Sequence, residues 1–85
     1  MEAIWTGNLI GTFYGYGRGR VHELSDGSSW KQEDANDEPA YLEGPRVELL
    51  TRRGSGIIYL AVEGTASRTR VTLIKSPVRS ARPEL

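Results

Sequence analysis

The only histidine, His22, and three nearby serines are the first candidates for nucleophilic or acid–base chemistry. A nucleophile–base pair would have to be built on His22, and a single histidine is too few for a histidine-based metal cluster. Ser25, Ser28 and Ser29 flank an Asp-Gly turn and lack the G-x-S-x-G context of a nucleophilic serine. We therefore predict no catalytic residue, and we expect His22 to be structural, partly buried and hydrogen-bonded.

Carboxylates are frequent in the segment 33–45, where Asp34, Asp37 and Glu38 could in principle meet a hard cation. A calcium loop spaces its acids as D-x-D-x-D-G and ends in a glutamate, which this segment does not do. We predict no metal site and no cofactor.

The glycine-rich run from Gly15 to Arg20 reads Gly-Tyr-Gly-Arg-Gly-Arg. Glycines let backbone N–H groups approach an anion, and arginines neutralise it. A dinucleotide-binding fingerprint would open a helix, and the residues after Arg20 are not typical of a helix start. Two interpretations remain, a mobile hairpin loop or a surface that stacks on single-stranded nucleic acid. The candidate nucleic-acid contacts are Tyr14, Tyr16, Arg18, Arg20, Arg52 and Arg53.

Charge is balanced overall but unevenly distributed, with 11 acidic and 11 basic residues. Between positions 23 and 48 there are eight acids and two bases, whereas after position 48 there are seven bases and two acids. Zero net charge argues against attraction of the whole molecule to nucleic acid or to an anionic membrane. The two halves should form an acidic and a basic pole, which either attract each other within the fold or between protomers.

A chain of 85 residues makes one domain with a thin core. It has no cysteine, so neither disulfides nor a thiolate metal site can support that core. The amino terminus does not read as a signal peptide, and the longest apolar segment, 57–62, is far too short to span a bilayer. We expect a cytoplasmic protein that does not contact a membrane.

Short alternating segments separated by glycines predict an all-β fold. Asp26-Gly27 between two extended segments predicts a type I′ hairpin turn. The acidic segment 33–45, with its prolines, should be an excursion rather than a central strand. The predicted strands cover 8–16, 20–24, 29–32, 46–49, 57–62 and 70–73. Five or six such strands suit a small SH3-like barrel.

The alternation of residue types predicts which side chains face the core. Val47 and Leu49 should be buried, as should Val71 and Leu73. In the segment 57–62 both faces are apolar, so one face needs cover from elsewhere.

Apolar residues outside the predicted core indicate self-association. Ile4 and Trp5 lie in an amino-terminal arm, where water would surround them unless the arm packs across the barrel or against a partner. We predict a homo-oligomer, either a dimer or a ring. The candidate protein-interface residues are Trp5, Ile57, Tyr59 and Ala61. The predicted boundaries are an arm over 1–7, a barrel domain over 8–74 and a disordered tail over 75–85.

Several short motifs resemble a widespread group of small bacterial proteins with the pattern G-x-F-x-G, V-F-x-L-x-N-G-x-x-W-x-Q, A-Y-x-P-x-V and V-x-G. Members of known shape are SH3-like barrels, and most have no assigned function. The resemblance implies an SH3-like barrel whose core is capped by Trp30. Where the group usually has alternating tyrosines, this chain has the acidic segment 33–39. Any role of that aromatic strip in the group therefore does not carry over to this chain. The matching segments are 11–15, 21–27, 29–32, 40–41, 45–47 and 62–64.

These observations favour a non-catalytic binding or assembly module, acting through protein–protein interaction or self-association. The alternative is a nucleic-acid-binding small barrel. A third class, the plasmid-borne dihydrofolate reductases, are SH3-like barrels around a pore lined by Val-Gln-Ile-Tyr. The nearest run here is Ile57-Ile58-Tyr59, which lacks the glutamine, so we do not expect that activity.

Overall fold

The computed structural model describes residues 1–77, which form antiparallel strands and contain no helix. The prediction of an all-β fold is confirmed. Six strands form one sheet in the order β1-β6-β7-β8-β4-β3, and β2 and β5 form a second sheet of two strands. The strands are β1 (Glu2–Asn8), β2 (Thr12–Gly15), β3 (Val21–Glu23), β4 (Ser29–Gln32), β5 (Pro39–Glu43), β6 (Arg46–Thr51), β7 (Ile58–Val62) and β8 (Arg68–Lys75).

The structure has eight strands instead of the predicted five or six, because three predicted segments are divided differently among the strands. The segment 1–7, expected as an arm, contributes most of β1, which pairs with β6 as an edge strand of the six-stranded sheet. The predicted first strand, 8–16, is divided between the end of β1 and β2. The acidic excursion, 33–45, includes β5, which pairs only with β2. Of the predicted tail, Lys75 ends β8, and residues 78–85 lie outside the described residues.

The two outer strands of the six-stranded sheet meet just beyond their ends. Leu9, which follows β1, forms an isolated antiparallel bridge with Leu24, which follows β3. Next to this bridge, the N–H of Ile10 donates to the carbonyl of Glu23 at 2.8 Å. One bridge is not a continuous ladder, so within residues 1–77 the sheet curves round without forming a closed barrel.

The core lies inside this curved sheet. Val47 and Leu49 on β6 are buried as predicted. Leu73 was expected to be buried with Val71, but it is 46% exposed. The reason is that β7 begins opposite Val71 and does not reach Leu73. The buried hydrophobic residues are Leu9, Phe13, Tyr16, Leu24, Trp30, Val47, Leu49, Leu60, Val62 and Val71.

The Asp-Gly turn forms a hairpin of a different type from the predicted one. In the described part of the chain only glycines have positive φ, and Gly27 has φ 87°. The carbonyl of Leu24 accepts from the N–H of Gly27 at 2.9 Å, and the N–H of Leu24 donates to the carbonyl of Ser28 at 2.9 Å. The type I′ prediction is therefore wrong, because Asp26 keeps a negative φ. The connection is a three-residue loop in which glycine takes the left-handed position.

Candidate functional site

An open groove lies at the end of the sheet, where β8 is longer than its neighbour. β7 pairs with β8 only up to the pair Ile58 and Val71, whereas β8 continues along β4 as far as Lys75. Before Ile58 the chain forms the loop 52–57, of which Gly56 and Ile57 line the groove. In the described chain, no strand therefore lies on the β7 side of β8 beyond Val71.

The contacts of Arg70 show to which side of β8 its backbone N–H and carbonyl point. Its N–H donates to Oδ2 of Asp34 at 2.9 Å, and its carbonyl accepts from the N–H of Glu33 at 2.9 Å. Both groups of Arg70 thus point to the β4 side of β8. Backbone groups alternate along a regular strand, and the register of β8 with β4 shifts only after Leu73, so the groups of Leu73 point to the opposite side, where β7 is missing. Leu73 therefore presents a donor and an acceptor to the groove.

The groove is mostly apolar and has a volume of about 320 Å³. Ile58, Trp30 and Val71 form its floor, while Ile57 on one side is 40% exposed and Leu73 on the other is 46% exposed. We call it the β8 groove. Its lining residues are Trp30, Gly56, Ile57, Ile58, Arg70, Val71, Thr72 and Leu73.

The floor of the β8 groove is held in position by a short chain of hydrogen bonds. The indole N–H of Trp30 donates to Oγ of Ser28 at 2.9 Å, and the hydroxyl of Ser28 donates to Asp26 at 2.5 Å. Trp30 is buried, which agrees with its expected place at the core. Because its only donor is satisfied inside the protein, the indole offers the groove an apolar surface.

Several basic residues border the β8 groove. Arg70 lines it, and Arg52 and Arg53 lie on the loop that leads to Gly56. Lys75 ends the strand that forms one wall. None of the lining residues within 1–77 is acidic, although the hydroxyl of Thr72, which lines the groove, donates to the Glu33 carboxylate at 2.6 Å. An anionic side chain placed in the groove would therefore meet a favourable potential.

The structure does not bring the four candidate protein-interface residues together. Ile57 lines the β8 groove. Trp5 pairs with the buried Leu49 and packs against the core from inside the sheet. Tyr59 and Ala61 belong to the outer face of β7, where the Arg68 guanidinium lies 5.6 Å from the Tyr59 ring centroid.

Ala61 borders a second and larger hollow of about 440 Å³ on the outer face of the sheet. Arg46 and Arg68 line this hollow together with Glu48 and Glu63, so charges of both signs are mixed. β6 and β7 are paired along its floor, which leaves their backbone groups occupied. A protein partner would therefore find fewer free backbone groups in this hollow than in the β8 groove.

Tyr16 is not available as a nucleic-acid contact, which corrects one of the predicted site residues. It is only 1% exposed, and its hydroxyl donates to the carbonyl of Ser67 at 3.0 Å. The same oxygen accepts from the N–H of Val62 at 3.1 Å, and Thr65 lies at 2.9 Å from it. Burial raises the pKa of Tyr16. Its side chain joins the loop after β2 to the end of β7.

The other candidate nucleic-acid contacts are exposed but separated. Tyr14 packs against Tyr41 with ring centroids 5.7 Å apart, and the Tyr41 hydroxyl donates to Glu43 at 3.2 Å. A carboxylate beside this aromatic pair would repel a phosphate. Arg18 and Arg20 precede β3, whereas Arg52 and Arg53 precede β7, and β4 and β8 lie between those two strands in the sheet.

His22 is buried in the core, with an exposed fraction of 6%. Its ring lies 5.6 Å from that of Phe13. Burial, assisted by the positive charge of Arg20, lowers the pKa of His22 to about 4. Its Nε2 atom has no hydrogen-bond partner among residues 1–77, so the expectation of a hydrogen-bonded histidine is not met at this atom. A neutral, enclosed imidazole cannot reach a substrate outside the fold.

A polar network that the sequence did not reveal connects the acidic excursion to the sheet. The Gln32 side chain is fully buried; its Oε1 accepts from the N–H of Gly17 at 2.7 Å, and its Nε2 donates to the carbonyl of Asn36 at 2.7 Å. Glu38 accepts from Ser67 at 2.5 Å and from the N–H of Ala66 at 2.7 Å. These hydrogen bonds lower the pKa of Glu38.

The acidic excursion therefore has a structural role at the β4 side of β8. Asp34 also accepts a hydrogen bond from the hydroxyl of Thr69. Partial burial works to raise the pKa of Asp34, but the hydrogen bonds from Thr69 and Arg70 outweigh it, and the pKa is lowered. No group of three or more metal-ligating side chains occurs within the described range. Nor does that range contain a helix long and apolar enough to cross a bilayer.

No protein-family model, no curated protein and no solved structure matches this chain. The interpretation of its function therefore depends on the geometry described above.

Proposed function

We propose that this chain is a non-catalytic protein-binding module that contacts its partner through the β8 groove. The observation that carries this proposal is the end of β8, where a backbone edge that no strand within residues 1–77 pairs borders an open apolar surface. Exposed apolar surface is unfavourable in water, and an open strand edge is a template for pairing with another chain.

We also propose that the fold is a small SH3-like barrel. Support comes from the antiparallel order of the six-stranded sheet and from the bridge between Leu9 and Leu24 at its two ends. The motif resemblance agrees with it, since the turn before Trp30 and the buried Gln32 belong to its most specific segment. Barrels of this kind have many functions, so the fold alone does not identify a partner.

In a second form of this proposal, the partner that covers the groove is another copy of the same chain. Ile57, one of the predicted interface residues, lines the β8 groove, so a second copy could cover it. Light scattering after size exclusion, at low and at high salt, distinguishes the two forms. A salt-resistant dimer or ring that dissociates in the Ile57→Asp variant would identify a second copy as the partner. A monomer would direct the search to another protein.

A photo-crosslinking amino acid at position 73 tests for another protein in cells that express the chain. We expect a discrete crosslinked product from position 73 and none from position 21, an exposed position on β3 that does not line the groove. The product should disappear in the Ile57→Asp variant. Equal labelling from both positions would contradict the assignment of the partner surface to the β8 groove.

Binding to nucleic acid remains the alternative, through Tyr14 with the exposed arginines. Its geometry is less favourable because Tyr16 is buried and Tyr14 lies beside an aromatic partner bonded to Glu43. A fluorescent single-stranded oligonucleotide, titrated at increasing salt, tests it. Affinity that decreases steeply with salt would favour this function, since phosphate contacts release counterions.

A further inference from the structure

We propose that the β8 groove binds one extended, acidic strand of a partner protein, which adds to the sheet beside Leu73. The proposal rests on the proposed function, since it names the partner for the same groove. The added strand would lie where β7 would run if it continued before Ile58. Three properties of the groove support it, namely the direction of its backbone groups, the position of its apolar floor and its charge.

The backbone of β8 offers the first support. The N–H and carbonyl of Leu73 point away from β4, into a space that no strand of the described chain occupies. On its other side, β8 is paired by β4 and then by the Asp34 carboxylate. The edge beside Leu73 is thus open while the opposite edge is filled. Open strand edges bind extended segments by main-chain hydrogen bonds.

The positions of the side chains specify the inward residues of the added strand. Alternate residues of a strand point to the same face. A residue opposite Leu73 would point inward with it, towards Ile58 and Trp30, because these side chains share the inner face of the sheet. The floor has no charged group for that residue to meet, so an aliphatic side chain fits there.

The outward residues of the added strand would meet positive charge. A residue opposite Thr72 points to the outer face, where Arg70 is its diagonal neighbour two positions along β8. Arg52 and Arg53 lie on the loop that borders the groove at Gly56. The Glu33 carboxylate, which accepts from the Thr72 hydroxyl, lies on the β4 side of β8, and the bases outnumber it. A carboxylate at the outward positions would therefore be attracted. The recognised strand alternates acidic and aliphatic residues.

Capped synthetic peptides of about eight residues, a common strand length, test this proposal with the intact chain. The first probe alternates glutamate and valine, the second replaces each glutamate by lysine, and the third carries N-methyl groups on the valines. Binding is measured by calorimetry, and the site by the backbone amide resonance of Leu73 and the indole N–H resonance of Trp30. We expect the glutamate peptide to bind at least about tenfold more tightly than the lysine peptide, as charge complementarity requires.

Methylation removes backbone donors without removing the side chains, so we expect the third peptide not to bind. Equal binding of the methylated peptide would overturn strand addition, and equal binding of the lysine peptide would overturn the acidic specificity. Either result leaves the proposed function intact, because that is tested by crosslinking from position 73. If the glutamate peptide does not bind and the chain self-associates through a contact that Leu73→Asp abolishes, the proposal is overturned. The occupant of the groove is then a second copy of this chain. No binding without self-association would also overturn the proposal.

Two variants in the chain provide a matched control. Leu73→Asp places a carboxylate in the groove and should weaken binding of the glutamate peptide by about tenfold or more, through lost apolar contact and like-charge repulsion. Val21→Asp changes a similarly exposed apolar residue on β3, which β4 separates from β8, and it should weaken binding by less than about threefold. Both residues are exposed, so both variants should fold. Arg70→Glu should reverse the preference and favour the lysine peptide; an unchanged preference would contradict the role of Arg70.

Discussion

The carboxylate of Asp34 accepts a hydrogen bond from the backbone N–H of Arg70 at 2.9 Å, although the two residues are 36 positions apart. It takes the place of a neighbouring strand at the β4 side of β8. On the other side of the same strand, beyond Val71, no such substitute exists in the described chain. The contrast between the filled edge and the open one is the basis of the proposed binding groove.

Removing the Asp34 side chain should destabilise the fold, because the Arg70 N–H and the Thr69 hydroxyl would both lose their acceptor. An unpaired polar group costs about 1–3 kcal/mol when buried, and Asp34 is partly exposed. We expect Asp34→Ala to lower the free energy of unfolding by about 1–2 kcal/mol in urea denaturation.

Asp37→Ala is the matched control for that variant, since Asp37 is an exposed acid of the same segment. It should change the free energy of unfolding by less than about 0.5 kcal/mol. If the two variants were equally stable, the Asp34 hydrogen bonds would not contribute to the stability of β8.

Acid should destabilise the protein through His22. The pKa of His22 is about 4 in the folded protein and 6.5 in a free side chain, so between these values the unfolded chain binds more protons. The stability present above about pH 6.5 is therefore lost as the pH falls towards 4, by up to about 3 kcal/mol. The measurement is urea denaturation at several pH values across this window.

The variant His22→Phe isolates this contribution, because phenylalanine is aromatic, of similar size and has no charge to bury. Its stability should change less with pH between 6.5 and 4 than that of the parent chain. The pKa values of Asp34 and Glu38 are both lowered, so the stability that these carboxylates contribute to the fold is lost in more acidic solution. Their contribution is the same in the parent chain and in the variant. Identical pH profiles would show that His22 does not have the assigned pKa.

Local patterns predicted part of this fold well. The alternation around Val47 and Leu49 identifies buried residues because a strand has a period of two whatever its partner. The exposure of Leu73 could not be found in this way, since it depends on where β7 begins. The network of Gln32 was also missed, since its partners are arranged by a bend of the chain after β4 that no spacing rule describes. The groove is a consequence of unequal strand lengths, which only the assembled sheet reveals.

Gln32 should be one of the most sensitive polar positions. Its side chain is fully buried and bonded to the N–H of Gly17 and to the carbonyl of Asn36. In Gln32→Leu both backbone groups lose their partner, which should cost at least about 2 kcal/mol. Gln32→Glu keeps an acceptor for Gly17 but cannot donate to Asn36 and adds a charge beside Asp34. We expect it to be destabilised as well. Full stability of both variants in thermal denaturation would contradict the network.

The hydroxyl of Tyr16 should contribute to stability, whereas that of Tyr14 should not. Tyr16→Phe removes the group that accepts from the Val62 N–H and donates to the Ser67 carbonyl, inside the fold. We expect the free energy of unfolding to decrease by about 1–3 kcal/mol, the cost of leaving such groups unpaired. Tyr14→Phe, at an exposed position, should have an effect below about 0.5 kcal/mol. Urea denaturation of both variants measures the difference. An unaffected Tyr16→Phe would contradict the hydrogen bonds of the Tyr16 hydroxyl and would restore Tyr16 as a candidate nucleic-acid contact.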